Sequence, residues 1–468
     1  MPTNLGRASS RRGCAALLMT AAAVVLALRA PAYAADTLQS ETPAAFVPRV
    51  ESFDYVKREV LIPMRDGVKL QTVILIPRGA HRTPILLSRT PYGATDRIAK
   101  SASAHLSALI DSNDVADDAV LNGGYIRVMQ DVRGKHGSEG GYIMTRPLRG
   151  PLNSSAVDHS TDAYDTIDWL IKNVRETNGR VGMQGSSYEG FTVLMALVHP
   201  HPALKVAIPM CPMVDGWRGD DWFHSGAFRQ PNFDYFLGQS SERGEGKGSP
   251  RPGYDDYESF RRAGSAGDFA RQNGLDQIGV WRKISEHPAY DAYWQGQALD
   301  KLLAAEPLTV PTMIVASTWD QEDSYGGVHT YEALEPKDKA NDKLYLVLGP
   351  WRHSGANSDA ASLGPMRFDS DTALAFRRDL ARPFFDARLK DRAPVVAIAP
   401  VNAYETGTYA WRRLQRTAQV AVPAARRPCR VRHLGHLGHP GDRKLRRVRG
   451  GSRQAGALPA APGAVRRP

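Results

Sequence analysis

The chain is poor in cysteine, with three in 468 residues. Cys14 lies in an N-terminal apolar run and Cys429 in an unusual C-terminal segment, so Cys211 alone belongs to the body. A disulfide framework is thereby excluded for the body. Cys211 follows the apolar run VAIPM and reads as a small buried core residue rather than a nucleophile. Long hydrophobic runs are also scarce. The one present, Cys14–Leu28, is short for a membrane span and is followed by Arg29. Acid is nearly absent from one region: residues 418–468 hold 12 Arg+Lys and a single acid, Asp442. The overall balance of 60 Lys+Arg against 49 Asp+Glu gives +11, but 48 of each remain over 1–417. The body is neutral, and charge gives it no reason to bind nucleic acid.

Arg7, Arg11 and Arg12, the apolar run, and Ala32-Tyr33-Ala34 form the three parts of a signal peptide over 1–34. The expectation is a mature chain from Ala35, periplasmic or secreted, with no membrane association after cleavage. Residues 418–468 are mostly Arg, Pro, Gly, Ala and His, with no Ile, Phe, Trp or Tyr. Such a composition builds no packed core, and disorder is expected. Two origins fit it: a frameshift in GC-rich coding sequence, or a basic tail for an anionic surface.

Between these ends, strand and helix alternate. Glu59–Ile76 reads as a hairpin turning at Asp66-Gly67, and Pro84–Ser88 and Tyr125–Met129 as buried strands. A helix is predicted over Thr161–Asn173, capped by Thr161 or Ser160, and another over Tyr188–Val198. Strands are predicted at Arg180–Gln184, Val206–Pro209, Thr312–Ser317 and Lys343–Leu348. The alternation predicts an α/β domain over 35–395 with a mostly parallel sheet. It breaks over about 212–308, which reads as an inserted helical cap. Most of its aromatics (Trp217, Trp222, Phe223, Phe228) are expected to pack the cap.

Catalytic groups on such a sheet stand at the C-terminal ends of strands. Ser187, in Gly185-Ser186-Ser187-Tyr188-Glu189-Gly190, sits at a strand-to-helix turn. Small residues before it allow the strained elbow of a serine nucleophile. The usual G-x-S-x-G is broken, because Glu189 holds the fifth position and glycine follows at Gly190. Asp320 follows the strand TMIVAS, and His353 follows KLYLVL and a short turn. Ser…Asp…His is the α/β-hydrolase order. These residues read as nucleophile, orienting acid and general base.

The motifs resemble the cocaine-esterase and X-Pro dipeptidyl-peptidase superfamily, and within it the α-amino acid ester hydrolases, which hydrolyse and acylate β-lactam antibiotics. The matching pieces are RTPYGA (Arg89–Ala94), QDVRG with GSEG (Gln130–Gly134, Gly137–Gly140) and GSSYEGFT (Gly185–Thr192). PMVDGW with GDDWFH (Pro212–Trp217, Gly219–His224), TWDQED (Thr318–Asp323) and GPWRHSG (Gly349–Gly355) complete them. The resemblance implies that the Tyr92 phenol and the Tyr188 backbone N–H form the oxyanion site. It implies that Asp221, Glu322 and Asp323 bind a substrate α-ammonium. It also implies a small-molecule α-amino ester or β-lactam substrate, no metal or organic cofactor, and a homo-oligomer. Residues 396–417 would open a C-terminal jelly-roll domain. The alternatives are an X-Pro dipeptidyl peptidase or a general carboxylesterase.

Overall fold

The computed structural model describes residues 41–45, 55–97, 120, 122–248, 253–394 and 396–415. The expected signal peptide and basic tail lie outside them. The central element is a ten-stranded sheet. Its strands are β1 (Tyr55–Pro63), β2 (Lys69–Pro77), β3 (Thr83–Thr90), β4 (Ile126–Asp131) and β5 (Thr177–Ser186). They continue with β6 (Leu204–Met210), β7 (Thr312–Ser317), β8 (Leu344–Gly349), β9 (Val401–Glu405) and β10 (Ala410–Leu414). The order across the sheet is 1-2-4-3-5-6-7-8-9-10. β3 pairs parallel with β4 and β5, and the parallel run continues through β6, β7, β8 and β9. The hairpin β1–β2 and β10 join antiparallel. This is the α/β-hydrolase sheet.

The sequence explains the middle of that sheet. β3, β4 and β7 are buried along their whole length, as near-continuous apolar strands covered on both faces must be. Residues 396–415, within the segment where a jelly-roll start is expected, contribute β9 and β10 to this same sheet.

Two helices matter for the site. α1 (His159–Asn173) begins two residues earlier than the apolar spacing indicates. Its cap is Asp158, whose carboxylate accepts from Ser160 N and Thr161 N, while Thr161 Oγ1 accepts from Asp158 N. The expected caps Ser160 and Thr161 are therefore inside the helix, and Thr161 closes a capping box from its third position. α2 (Tyr188–Val198) is buried at every residue, behind the end of β5.

Between β6 and β7 lies the cap. Its helices are Phe233–Ser240 (α3), Asp256–Ala263, Ala266–Gln272, Gly279–Glu286, Ala292–Gln295 and Leu299–Ala305. Aromatic rings hold it together. Trp222 stacks on Phe236 at 4.7 Å, and Phe228 meets Phe233 and Trp281 at 5.2 and 5.3 Å. The packing role expected for these aromatics is what the structure shows. No helix of the described residues is long and apolar enough to cross a membrane.

Candidate active site

The strand ends of β5, β7 and β8 face one cavity of about 660 Å³, lined by Ser187, His353, Glu322, Tyr92 and Tyr235 among others. Ser187 sits between β5 and α2 with φ 61° and ψ −124°. A left-handed conformation for a serine stores about 1–3 kcal/mol of strain. Flanking contacts hold it there: Ser187 N donates to Met210 O at 3.0 Å, and Phe191 N to Ser187 O at 2.9 Å. The glycine positions explain the altered elbow motif. A Cβ on Gly185 would stand 2.5 Å from the Glu189 Cβ, and one on Gly190 2.6 Å from Met210 O. Strand and helix approach so closely that both must be glycine. Glu189, in the place usually held by glycine, turns to an ion pair with Arg97 at 2.5 Å.

Tyr188 opens α2, so its N–H has no partner within the helix and joins the positive helix end beside Ser187. Its ring is fully buried, with the hydroxyl accepting from Thr145 N at 3.1 Å. The Tyr188 hydroxyl is thus engaged in the interior, and only its backbone N–H is left for the expected oxyanion role.

Tyr92 is carried by the loop after β3, and the resemblance motifs brace that loop. Tyr92 N donates to Thr90 Oγ1 at 3.1 Å, and Ala94 N donates to the Asp131 carboxylate at 2.5 Å. Arg89 is buried and bonded to Gln130 Oε1 and His159 O. The Tyr92 hydroxyl lies 3.2 Å from that of Tyr235 on α3. Burial holds the Tyr92 phenol far above its ordinary range, so it stays a neutral donor. Tyr235 carried no signal in the sequence, being one aromatic among many in the cap.

Asp320 and His353 meet. The Nδ1 of His353 lies 2.9 and 3.0 Å from the two Asp320 carboxylate oxygens. Asp320 Oδ1 also accepts from Glu322 N and Asp323 N at 2.8 and 3.0 Å. Burial would raise the Asp320 pKa, but the hydrogen bond and charge of His353 and the two N–H donors hold it below the usual range. Burial would likewise lower the pKa of His353. The Asp320 hydrogen bond, then the charges of Asp320, Glu322 and Asp221, set it above the ordinary histidine value.

The same turn that satisfies Asp320 brings the next two acids inward. Glu322 Oε2 lies 3.4 Å from His353 Nε2, and Asp323 Oδ2 3.8 Å from His353 Nδ1. Asp221 arrives from the cap, with Oδ1 3.8 Å from an Arg229 nitrogen. Its neighbour Asp220 points the other way and binds the N–H groups of Val214, Asp215 and Gly326. Asp221 and Asp323 are each 2% exposed. Asp221 Oδ2 and both Asp323 oxygens are buried without a hydrogen-bond donor. Burial, then the Glu322 charge, pushes Asp221 up to about 7. Burial and the surrounding acids push Asp323 well above the carboxylate range.

Cys211 is buried against Ser317, the core position expected for it, and burial pushes its thiol up to about 12. Among the described residues, no group of three or more His, Cys, Asp or Glu is arranged for a metal ion.

Sheet order and elbow together place the chain among the α/β-hydrolases of the serine type. Within that class it belongs to the X-Pro dipeptidyl-peptidase (S15) family, whose model matches residues 66–355. A solved α-amino acid ester hydrolase, labelled with selenomethionine, is 59% identical with a TM-score of 0.77, over 83% of this chain and 62% of that one. A solved aminopeptidase from a marine-sediment Thaumarchaeota archaeon is 50% identical with a TM-score of 0.76, over 81% and 62%. Cocaine esterase of Rhodococcus sp. (strain MB1 Bresler) is 28% identical over 377 residues, 76% of this chain and 59% of that protein. The chain spans less than two thirds of the length of each of these relatives.

Proposed function

We propose that the chain is an exported serine hydrolase and acyl transferase for α-amino acid esters and α-amino β-lactam amides, acting through an acyl-enzyme on Ser187. The observation that carries this reading is the set of buried carboxylate oxygens on Asp221 and Asp323 that lack a donor, beside His353. A buried carboxylate left unsatisfied is costly, and a substrate ammonium supplies three N–H donors and the missing charge.

The substrate's ammonium settles among Asp221, Glu322 and Asp323, which brings its α-carbonyl to Ser187. The Ser187 hydroxyl attacks, and its proton passes to His353 Nε2. Asp320 keeps the His353 Nδ1–H in place and stabilises the imidazolium. The Tyr92 hydroxyl and Tyr188 N–H receive the oxyanion. His353 then protonates the leaving alkoxide or amine. Water, or an amine acceptor, attacks the acyl-enzyme with His353 again taking its proton.

An X-Pro dipeptidyl peptidase would grip a peptide's N-terminal ammonium with the same acids, and a general carboxylesterase would need none. A panel of phenylglycine methyl ester, its des-amino analogue and an X-Pro chromogenic peptide separates the three. The amino ester is expected to be the best substrate. Equal turnover of the two esters would remove the ammonium reading.

A further inference from the structure

Lys135 falls between the sequence blocks QDVRG and GSEG and takes no part in the chemistry above. Its side chain is fully buried. The ammonium donates to three backbone carbonyls of one cap segment: Gln239 O at 3.0 Å, Glu242 O at 3.1 Å and Gly244 O at 2.7 Å. Gln239 lies in the last turn of α3, where carbonyls lack helical partners and the helix dipole is negative. A cation there meets both needs at once. Neighbouring bonds follow the same line. His136 N donates to Arg243 O at 2.8 Å, and the Arg243 guanidinium reaches Ser138 O and Gly140 O.

The clasped segment has two sides. Gly244 and Glu245 line the cavity of Ser187, and Ser240–Arg243 line a second cavity of about 500 Å³. We infer that Lys135 is a positioning residue: its ammonium fastens residues 239–244 of the cap to the sheet domain and so sets the active-site wall at Gly244 and Glu245. Three carbonyls converging on one point suit the tripod of an ammonium and not the planar fork of a guanidinium. The groups facing Lys135 are the Tyr142 ring, 5.3 Å from Nζ, and the charges of Asp131, Glu242 and Glu245. Burial pushes the lysine down to about 8. Above that pH the neutral amine retains two N–H donors for three carbonyls, and the clasp loosens.

The test uses the full chain and the variants Lys135→Met and Lys135→Arg. Hydrogen exchange followed by mass spectrometry is read over 239–246, and KM and kcat are read with an amino ester across pH. Lys135→Met is expected to speed exchange over 239–246 by about tenfold, the worth of one charge-assisted hydrogen bond, while core strands keep their protection. KM should rise several-fold with kcat within about threefold, and Lys135→Arg should not restore it. In the wild type KM should climb above pH about 8 more steeply than in Lys135→Met, where only the loss of the substrate's own ammonium charge remains. A folded Lys135→Met variant with wild-type exchange and KM overturns the inference. If the variant does not fold, wild-type exchange at pH about 7 and about 9.5, corrected for intrinsic rate, decides. Selective loosening of 239–246 supports the clasp, and its absence overturns it. The kinetic readout rests on the hydrolase reading but the exchange readout does not, so the two fail separately.

Discussion

Asp320 and His353 share a two-point contact, Nδ1 standing 2.9 and 3.0 Å from the two carboxylate oxygens. This contact sets the pH behaviour. A general base works only when neutral, and the pKa of His353 lies above the ordinary histidine value. The acid limb of kcat/KM is therefore expected above pH about 6.5. Asp320→Asn should move that limb down and lower kcat by about 10⁴. A pH–rate profile of both forms checks this, and an unmoved limb would detach Asp320 from the base.

The same pair predicts a stability window. Asp320, with its lowered pKa, stabilises the fold above the unfolded aspartate value and ceases to do so as pH falls through its folded pKa. His353, raised, stabilises below the unfolded histidine value and loses this as pH rises through its folded pKa. The pair's contribution is complete between about pH 4 and 6.5. Denaturant midpoints of the wild type and Asp320→Asn should differ most in that window.

Asp323 has the opposite sign. Its raised pKa means that ionisation at neutral pH costs stability without a ligand. Asp323→Asn should stabilise the free protein by about 1–3 kcal/mol at pH 7 while raising KM for the amino ester tenfold or more. The des-amino ester should respond little. Equal changes in KM for both esters would mean that Asp323 does not meet the ammonium.

Tyr92 and Tyr235 should separate by rank. Tyr92→Phe removes the proposed oxyanion donor and is expected to lower kcat by about 10²–10³. Tyr235→Phe removes only the neighbouring hydroxyl, 3.2 Å away, and should cost less than about tenfold. Steady-state kinetics on one ester gives both numbers, and a larger loss at Tyr235 would reverse their roles.

The sheet was legible because its inner strands carry short buried apolar stretches, such as Ile85–Leu87 and Met313–Ala316, and its hairpin turns at Asp66-Gly67. The triad candidates were legible because each follows such a strand. The Asp158 cap was missed because apolar spacing begins later than the helix, whose first turn carries Ser160, Thr161 and Asp162. Glu189 in the elbow looked like a defect, and only the close approach at Gly185 and Gly190 explains it. Tyr235 and Lys135 reach their partners across the cap junction, a tertiary relation that local spacing does not encode. Burial of Asp221 and Asp323 was equally invisible, since an acid-rich run such as DQED reads as a solvated loop until its neighbours are in place.

The most direct test is the site of acylation. Rapid quenching of the full chain with phenylglycine methyl ester, followed by proteolysis and mass spectrometry, should find the α-aminoacyl group on Ser187. Ser187→Ala should carry no adduct and lose about 10⁶ in kcat, while Ser186→Ala, whose hydroxyl binds Ser354 Oγ, should still acylate at Ser187. An adduct on Ser186 or any other residue, or turnover that survives Ser187→Ala, would contradict the account.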